Sequence, residues 1–393
     1  MNFNELELEK FNNIYIYGFG LSGKWLSDNL PTKNKFFVDT DEKKSGRKHN
    51  NIEVIDIKAA KKIIKKDDLI LLTPVDIQDV VPIMDREFKE IKWKALGIFL
   101  NGSDTESSVN NSEENMDFVK YSLSAVEKCH KAYISKNKLF LRSVDIVISE
   151  RCSLKCKDCS NLMQYYSKPQ NAEMEDLFLS LDKIMSVIDS IDEFRVLGGD
   201  PFMNKEMYKV INKLDSYNSG ARIAIYTNGQ IIPKGENLEC LRKKNVILEI
   251  SNYGNISRNH DKIVKLCEDE KISYSTFKLE KWDDCGRIMP YSNKSEKELK
   301  HLFSNCCNSD LISLLDGKLY RCPFSANGTH LGAIPKNPND TVNLLNKDLS
   351  KDELKKEIFK LYFNKDYLTA CSYCNGRDYT SKHVPVAAQT REI

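Results

Sequence analysis

The sequence predicts an α/β protein of more than one domain, in which two strand–helix repeats precede a small irregular region. Three observations carry this. Strand-like apolar runs alternate with helical patterns over residues 1–103 and again over 140–290, a polar stretch parts the two, and the alternation stops after about residue 290. At 393 residues the chain is too long for one ordinary core.

In the first region the strands are expected at 13–17, 35–38, 68–73 and 95–100, with a short one near Val54. Residues 104–139 begin Asp-Thr-Glu-Ser-Ser-Val-Asn-Asn-Ser, rich in turn formers and without apolar periodicity, and are expected to be a linker. The second region runs strand 144–149, helix 173–191, strand 193–197, helix 204–217, strand 222–226, helix 235–244, strand 246–250, helix 258–270 and strand 273–279. Such pairs build a parallel sheet, either open or curved into a barrel of β/α units. From 291 to 393 a Lys/Glu-rich helix leads into a hairpin, 311–315 and 318–321, around Asp316-Gly317.

Composition excludes some functions. The 59 basic and 57 acidic residues nearly cancel, so no global field favours nucleic acid or a membrane surface as partner. The first residues lack a signal peptide's basic and apolar regions, and no run reaches the ~18 apolar residues of a membrane span; the expectation is a soluble cytoplasmic protein. In that compartment 12 cysteines point to metal or cluster ligation and plain burial, not disulfides.

Cys152, Cys156 and Cys159 fall within eight residues, directly after the strand 144–149. Three thiols are one short of a closed zinc site, although a distant fourth ligand would complete one. The C-x-x-x-C-x-x-C spacing resembles the signature of the radical S-adenosylmethionine (SAM) superfamily. There three cysteines bind a [4Fe-4S] cluster and SAM chelates the fourth iron. The resemblance extends to Gly198-Gly199-Asp200-Pro201 after the second strand, similar to the family's Gly-Gly-Glu-Pro element for the SAM amino group, and to Thr227, Asn228, Ser251 and Asn252 at the next strand ends, where relatives contact SAM. It implies a partial (β/α) barrel whose active site gathers at strand C-termini. Two positions depart from the family: Asp158, often aromatic or apolar in relatives and stacked near adenine, and Asp200, where relatives carry Glu.

Cys306 or Cys307, then Gly317, Cys322, Cys371 and Cys374, resembles the twitch/SPASM-like extensions of that superfamily, which implies one auxiliary [4Fe-4S] cluster on Cys306, Cys322, Cys371 and Cys374. A four-cysteine zinc ribbon is the alternative. Cys129, Cys240, Cys267 and Cys285 lie outside any ligand spacing and read as buried packing.

Gly18-Phe-Gly20-Leu-Ser-Gly23 follows a strand and opens a helix, with Asp39 ending the next strand. That is the context of the dinucleotide fingerprint, so a Rossmann-like domain holding a nucleotide or NAD(P) is expected, alongside a fold kept only for docking. Residues 37–46 resemble Rossmann-like domains fused to bacterial sugar-modifying enzymes.

The resemblance implies a radical SAM oxidoreductase acting on a sugar, amino sugar or nucleotide-linked small molecule, fed electrons by reduced flavodoxin or ferredoxin. A SPASM-type peptide- or protein-modifying enzyme and a non-catalytic zinc-binding protein are the alternatives. Arg195, Arg258, His260, Arg287 and His330 lie near strand ends or loops without an assignable role.

Overall fold

The computed structural model describes residues 6–75, 77–98, 116–134, 138–306, 308, 311–363, 366–377 and 381–390. Contacts divide the chain into two compact units, 1–138 and 139–393. Among the described residues no helix is long and apolar enough to cross a membrane.

The first unit runs β1 (Ile14–Tyr17), α1 (Leu21–Asn29), β2 (Lys35–Asp39), β3 (Lys48–His49), β4 (Ile52–Asp56), α2 (Ile57–Ile63), β5 (Leu69–Leu72), α3 (Ile77–Glu87), β6 (Lys92–Ala95) and α4 (Met116–Ile134). Its sheet has the order β3-β4-β2-β1-β5-β6, parallel except for β3. The strands are apolar on both sides because helices cover both faces. Ile14, Ile16, Leu69 and Leu71 pack with Leu26 of α1 and Leu123 and Val126 of α4, while Tyr15, Tyr17, Ile70 and Leu72 pack with Ala60 of α2 and Met84 of α3.

The strand expected at 95–100 lies earlier. It ends at Ala95 and gives way to a 3-10 turn over Leu96–Ile98, because the Gly97 N–H turns to His130 Nδ1 at 3.0 Å instead of a neighbouring strand. The same imidazole reaches the Pro74 carbonyl with Nε2 at 2.7 Å, so His130 pins α4 across the ends of β5 and β6. Helix α4 falls within the stretch read from sequence as linker; residues 104–115 and 135–137 of that stretch lie outside the described residues.

The second unit continues with β7 (Phe140–Ser149), α5 (Met174–Met185), β8 (Ser190–Gly198), α6 (Met207–Ser216), β9 (Arg222–Thr227), α7 (Glu236–Glu239), β10 (Val246–Asn252), α8 (His260–Asp269), β11 (Tyr274–Lys278), β12 (Lys281–Asp283), α9 (Glu296–Ser304), β13 (Ile312–Leu315), β14 (Lys318–Tyr320), α10 (Pro323–His330), β15 (Thr341–Asn343), α11 (Lys351–Phe363) and β16 (His383–Pro385). Eight strands form one sheet in the order β11-β10-β9-β8-β7-β13-β14-β15, parallel from β11 through β13. The sheet is open, as a partial barrel requires.

Alternation along these strands separates two faces. Val144, Ile146, Phe194, Val196, Ile223 and Ile225 meet the apolar stripes of α5, α6, α8 and α11. The other face combines charged pairs with a small apolar cluster that includes Val147 and Leu197: Asp145 pairs with Arg195 at 3.1 Å, Arg222 with Glu249 at 3.3 Å, and Arg195 lies 4.7 Å over the Tyr226 ring. The hairpin expected near Asp316-Gly317 is β13–β14, and it joins the sheet along β7.

Candidate functional site

The loop that carries Cys152, Cys156 and Cys159 leaves β7 at Ser149 and is seated against the end of β8. Gly199 N–H donates to the Ser149 carbonyl at 2.7 Å and Asp200 N–H to that of Arg151 at 2.9 Å. A Cβ on Gly198 would stand 2.1 Å from Ser149 O, and one on Gly199 2.2 Å from Arg151 O. The glycine pair was expected for close approach of a ligand. In the structure, its first demand is close approach of the cysteine loop itself.

Donors surround the three sulfurs. Cys152 Sγ accepts from Leu154 N–H at 3.4 Å and Asn228 Nδ2 at 3.5 Å. Cys159 is reached by the N–H groups of Asn161, Leu162 and Met163. Gln389 Nε2 donates to Cys156 Sγ at 3.4 Å. Burial pushes the Cys152 thiol up to about 12 and that of Cys156 to about 11, with the neighbouring thiols adding to the shift, so the three lie within electrostatic reach of one another. Tyr253, stacked edge-on against Trp282, lies within the same reach. Among the described residues no three His, Cys, Asp or Glu groups converge tightly enough for a single metal ion, a convergence that a cluster with its own sulfides does not need.

The other strand-end residues have mixed placements. Asp200 is fully buried and accepts from Phe202 N–H at 3.1 Å, Thr227 Oγ1 at 2.9 Å and Asn228 N–H at 3.1 Å, so it and Thr227 brace the ends of β8 and β9. Asn228 faces the cysteine loop through Cys152 and Ser153. Asn252 accepts from Gly254 N–H at 2.9 Å in a local turn, and the Ser251 carbonyl accepts from Ser257. Asp158 is buried with its carboxylate 2.7 Å from Arg287 Nε.

Residues 141–263 match a family model described as a 4Fe-4S single cluster domain, over the strands and loops just described. This part of the chain is thus similar to a [4Fe-4S] cluster-binding domain. A GTP 3',8-cyclase of Clostridium acetobutylicum is 33% identical over 97 residues, which cover 24% of this chain and 30% of that protein. One of Helicobacter pylori is 23% identical over 142 residues, covering 34% and 41%. The match thus spans less than half the length of either relative. Among solved structures, BtrN in complex with AdoMet and 2-DOIA covers 65% of this chain and 97% of its own at 15% identity and a TM-score of 0.36. Streptococcus suis SuiB bound to precursor peptide SuiA covers 77% and 85% at 14% identity and a TM-score of 0.35.

The second unit brings a second set of thiols together. Burial raises Cys322 well above the usual thiol range, with Cys306, Cys374 and Cys371 all contributing; Cys371 rises to about 12 and Cys374 to about 11 from burial and the same neighbours. Cys306 follows α9 after its C-cap Asn305; Cys307 lies outside the described residues. Cys285, read from sequence as packing alone, is also within electrostatic reach of Cys374 and Cys306, a placement that spacing along the chain did not reveal. Cys240 and Cys267 sit in the apolar core between sheet and helices.

A cleft of about 250 Å³ opens where β7 and β13 part, lined by Ser149, Glu150, Asn171, Asp176, Asp316 and His330 among others. His330 Nε2 is 2.9 Å from Glu150, and among the described residues no lysine or arginine lines the cleft. Of the remaining polar residues, His260 bonds Asp261 and Thr276 on the surface.

In the first unit the three glycines have separable reasons. A Cβ on Gly23 would be 1.9 Å from Gly18 O, and one on Gly18, whose φ is +104°, 2.8 Å from Thr73 Oγ1, whereas Gly20 faces open space. Asp39 accepts from Phe19 N–H at 2.7 Å, Asp41 N–H at 2.9 Å and Lys44 at 3.0 Å.

Proposed function

We propose that this protein is a radical SAM oxidoreductase acting on a small hydroxylated or amine-bearing metabolite of the sugar or amino sugar class. The cysteine loop seated by Gly198 and Gly199 on the strand end carries the reading. Cys152, Cys156 and Cys159 supply three thiolates, leaving one position of a [4Fe-4S] cluster open for SAM, and Cys306, Cys322, Cys371 and Cys374 supply four for an auxiliary cluster. Bound there, the first cluster would supply one-electron reductive cleavage of SAM for hydrogen abstraction from substrate, and the second would supply an acceptor for the substrate's electron.

The chain's own residues hold and shield this chemistry. Asp200 and Thr227 fix the ends of β8 and β9, and Asn228 orients the loop at Cys152. Substrate class is read from the cleft. The cleft begins at Ser149 and Glu150, which lead into the cysteine loop, and its volume of about 250 Å³ would hold a small polar molecule. Its carboxylates, without lysine or arginine, favour hydroxyl and ammonium groups over phosphate. In the first unit, Gly20 beside open space and the packed Gly18 and Gly23 match the division of roles in a nucleotide loop, so this unit is proposed to bind a nucleotide.

The test is anaerobic reconstitution with dithionite and SAM, following 5'-deoxyadenosine. Cys156→Ala is expected to abolish it, while Cys371→Ala keeps SAM cleavage but loses coupled product. Bound zinc without sulfide, or equal cleavage in Cys156→Ala, refutes the assignment.

A further inference from the structure

The three cysteines of the loop are not served alike. Cys159 has three backbone N–H groups aimed at it and Cys152 has one backbone and one side-chain donor. Among the described residues, the hydrogen bond that reaches Cys156 Sγ comes from Gln389, 233 residues away in sequence. The side chain is held at both ends. Its Oε1 accepts from Lys155 N–H at 2.8 Å, and its Nε2 also donates to the Ala387 carbonyl at 2.7 Å.

The backbone on either side closes over the same loop. Lys157 N–H donates to Ala388 O at 2.7 Å and Thr390 N–H to Lys155 O at 2.7 Å, an antiparallel bridge centred on Cys156 and Gln389. Just before it, β16 pairs antiparallel with β12, and Asp284 N–H donates to Lys382 O at 2.7 Å. The segment is thus anchored to β12 before it crosses the loop, and Ala387 is fully buried.

We propose that residues 387–390 form a strap over the cluster loop and that Gln389 is a positioning residue for the cluster, its amide N–H setting the electron density on the Cys156 sulfur. The inference rests on the assignment of Cys156 as a cluster ligand. A hydrogen bond to a ligating thiolate draws charge off the sulfur and stabilises the reduced, more negative cluster, which raises its reduction potential. Gln389 does for Cys156 what the loop backbone does for Cys159. The strap's second effect is exclusion of water and oxidant from the loop.

The experiment uses the full chain, reconstituted anaerobically, with the SAM-sensitive EPR signal reporting this cluster. Gln389→Ala is expected to move its midpoint potential to more negative values, and Gln389→Glu to move it further because a carboxylate adds charge and no donor. Thr390→Pro, which deletes one strap hydrogen bond and leaves Gln389 in place, is expected to speed iron loss to a chelator several-fold with a smaller change in potential. Iron and sulfide content of the unmodified chain tests the cluster assignment separately. A chain that assembles no cluster overturns both ideas, whereas full cluster content with an unchanged midpoint in Gln389→Ala and Gln389→Glu overturns the role of Gln389 alone. Chelation of Thr390→Pro at the unmodified rate overturns the strap.

Discussion

Replacing Gly199 by alanine separates the packing role of the glycine pair from a ligand role. The added Cβ would lie 2.2 Å from Arg151 O and 2.9 Å from Cys152 Cβ. Non-bonded carbon and oxygen sit at ~3.3 Å or more, so the Arg151 carbonyl must retreat by about 1 Å. That carbonyl accepts from Asp200 N–H, and the next residue is the first cysteine. Overpacking of this size costs ~1–3 kcal/mol, here concentrated on the loop because β8 is held on both sides by β7 and β9. Gly199→Ala is therefore expected to lower the unfolding midpoint modestly while sharply reducing iron bound per chain after reconstitution and 5'-deoxyadenosine formed. Gly20→Ala, facing open space, is the control for both readouts. Full iron content and an unchanged cleavage rate in Gly199→Ala would refute the packing argument.

Three further outcomes follow from the geometry. Burial holds the His130 imidazole down at about 4 in the folded protein. Because the folded value lies below the unfolded ~6.5, this contribution is whole above pH ~6.5 and is lost as pH falls toward 4, at most ~3.5 kcal/mol at ~1.4 kcal/mol per unit; amide exchange in the first unit, corrected for intrinsic rates, should show lower protection at pH 4.5 than at pH 7, and a His130→Gln variant that keeps the full pH dependence contradicts it. Arg287→Ala strands the buried Asp158 carboxylate and is expected to cost ~1–3 kcal/mol in unfolding of the second unit, with Arg287→Lys recovering part; no change in midpoint rules out the pair as a brace. Asp200→Ala leaves Thr227 Oγ1 and two N–H groups without their acceptor, so it should destabilise the second unit by at least as much as Arg287→Ala, and a smaller loss argues against the brace between β8 and β9.

What the sequence made legible was local. Cys152, Cys156 and Cys159 lie within one loop, and strand–helix alternation locates that loop at a strand end without any tertiary knowledge. The sheets, the hairpin at Asp316-Gly317 and the separable glycines of the first unit follow from the same short-range periodicities. Partners separated by long stretches of chain were not legible. Asp158 looked like a lost adenine contact because its spacing to Arg287 has no periodicity, and Cys285 looked like packing because proximity to Cys306 and Cys374 arises only when the segment after β12 folds back.

These non-local partners converge on the segment after β12. Asp284 binds the strand-bearing segment before the strap, Cys285 approaches the second thiol set, a Cβ on Gly286 would stand 2.0 Å from Asp158 O, and Arg287 holds the Asp158 carboxylate. Four consecutive residues therefore touch the strap anchor, the second cysteine set and the first loop. Packing this tight transmits displacement rather than absorbing it. It follows that the two cysteine sites share one backbone support, and a change that shifts this segment disturbs both together, while a change confined to Gln389 disturbs the first alone.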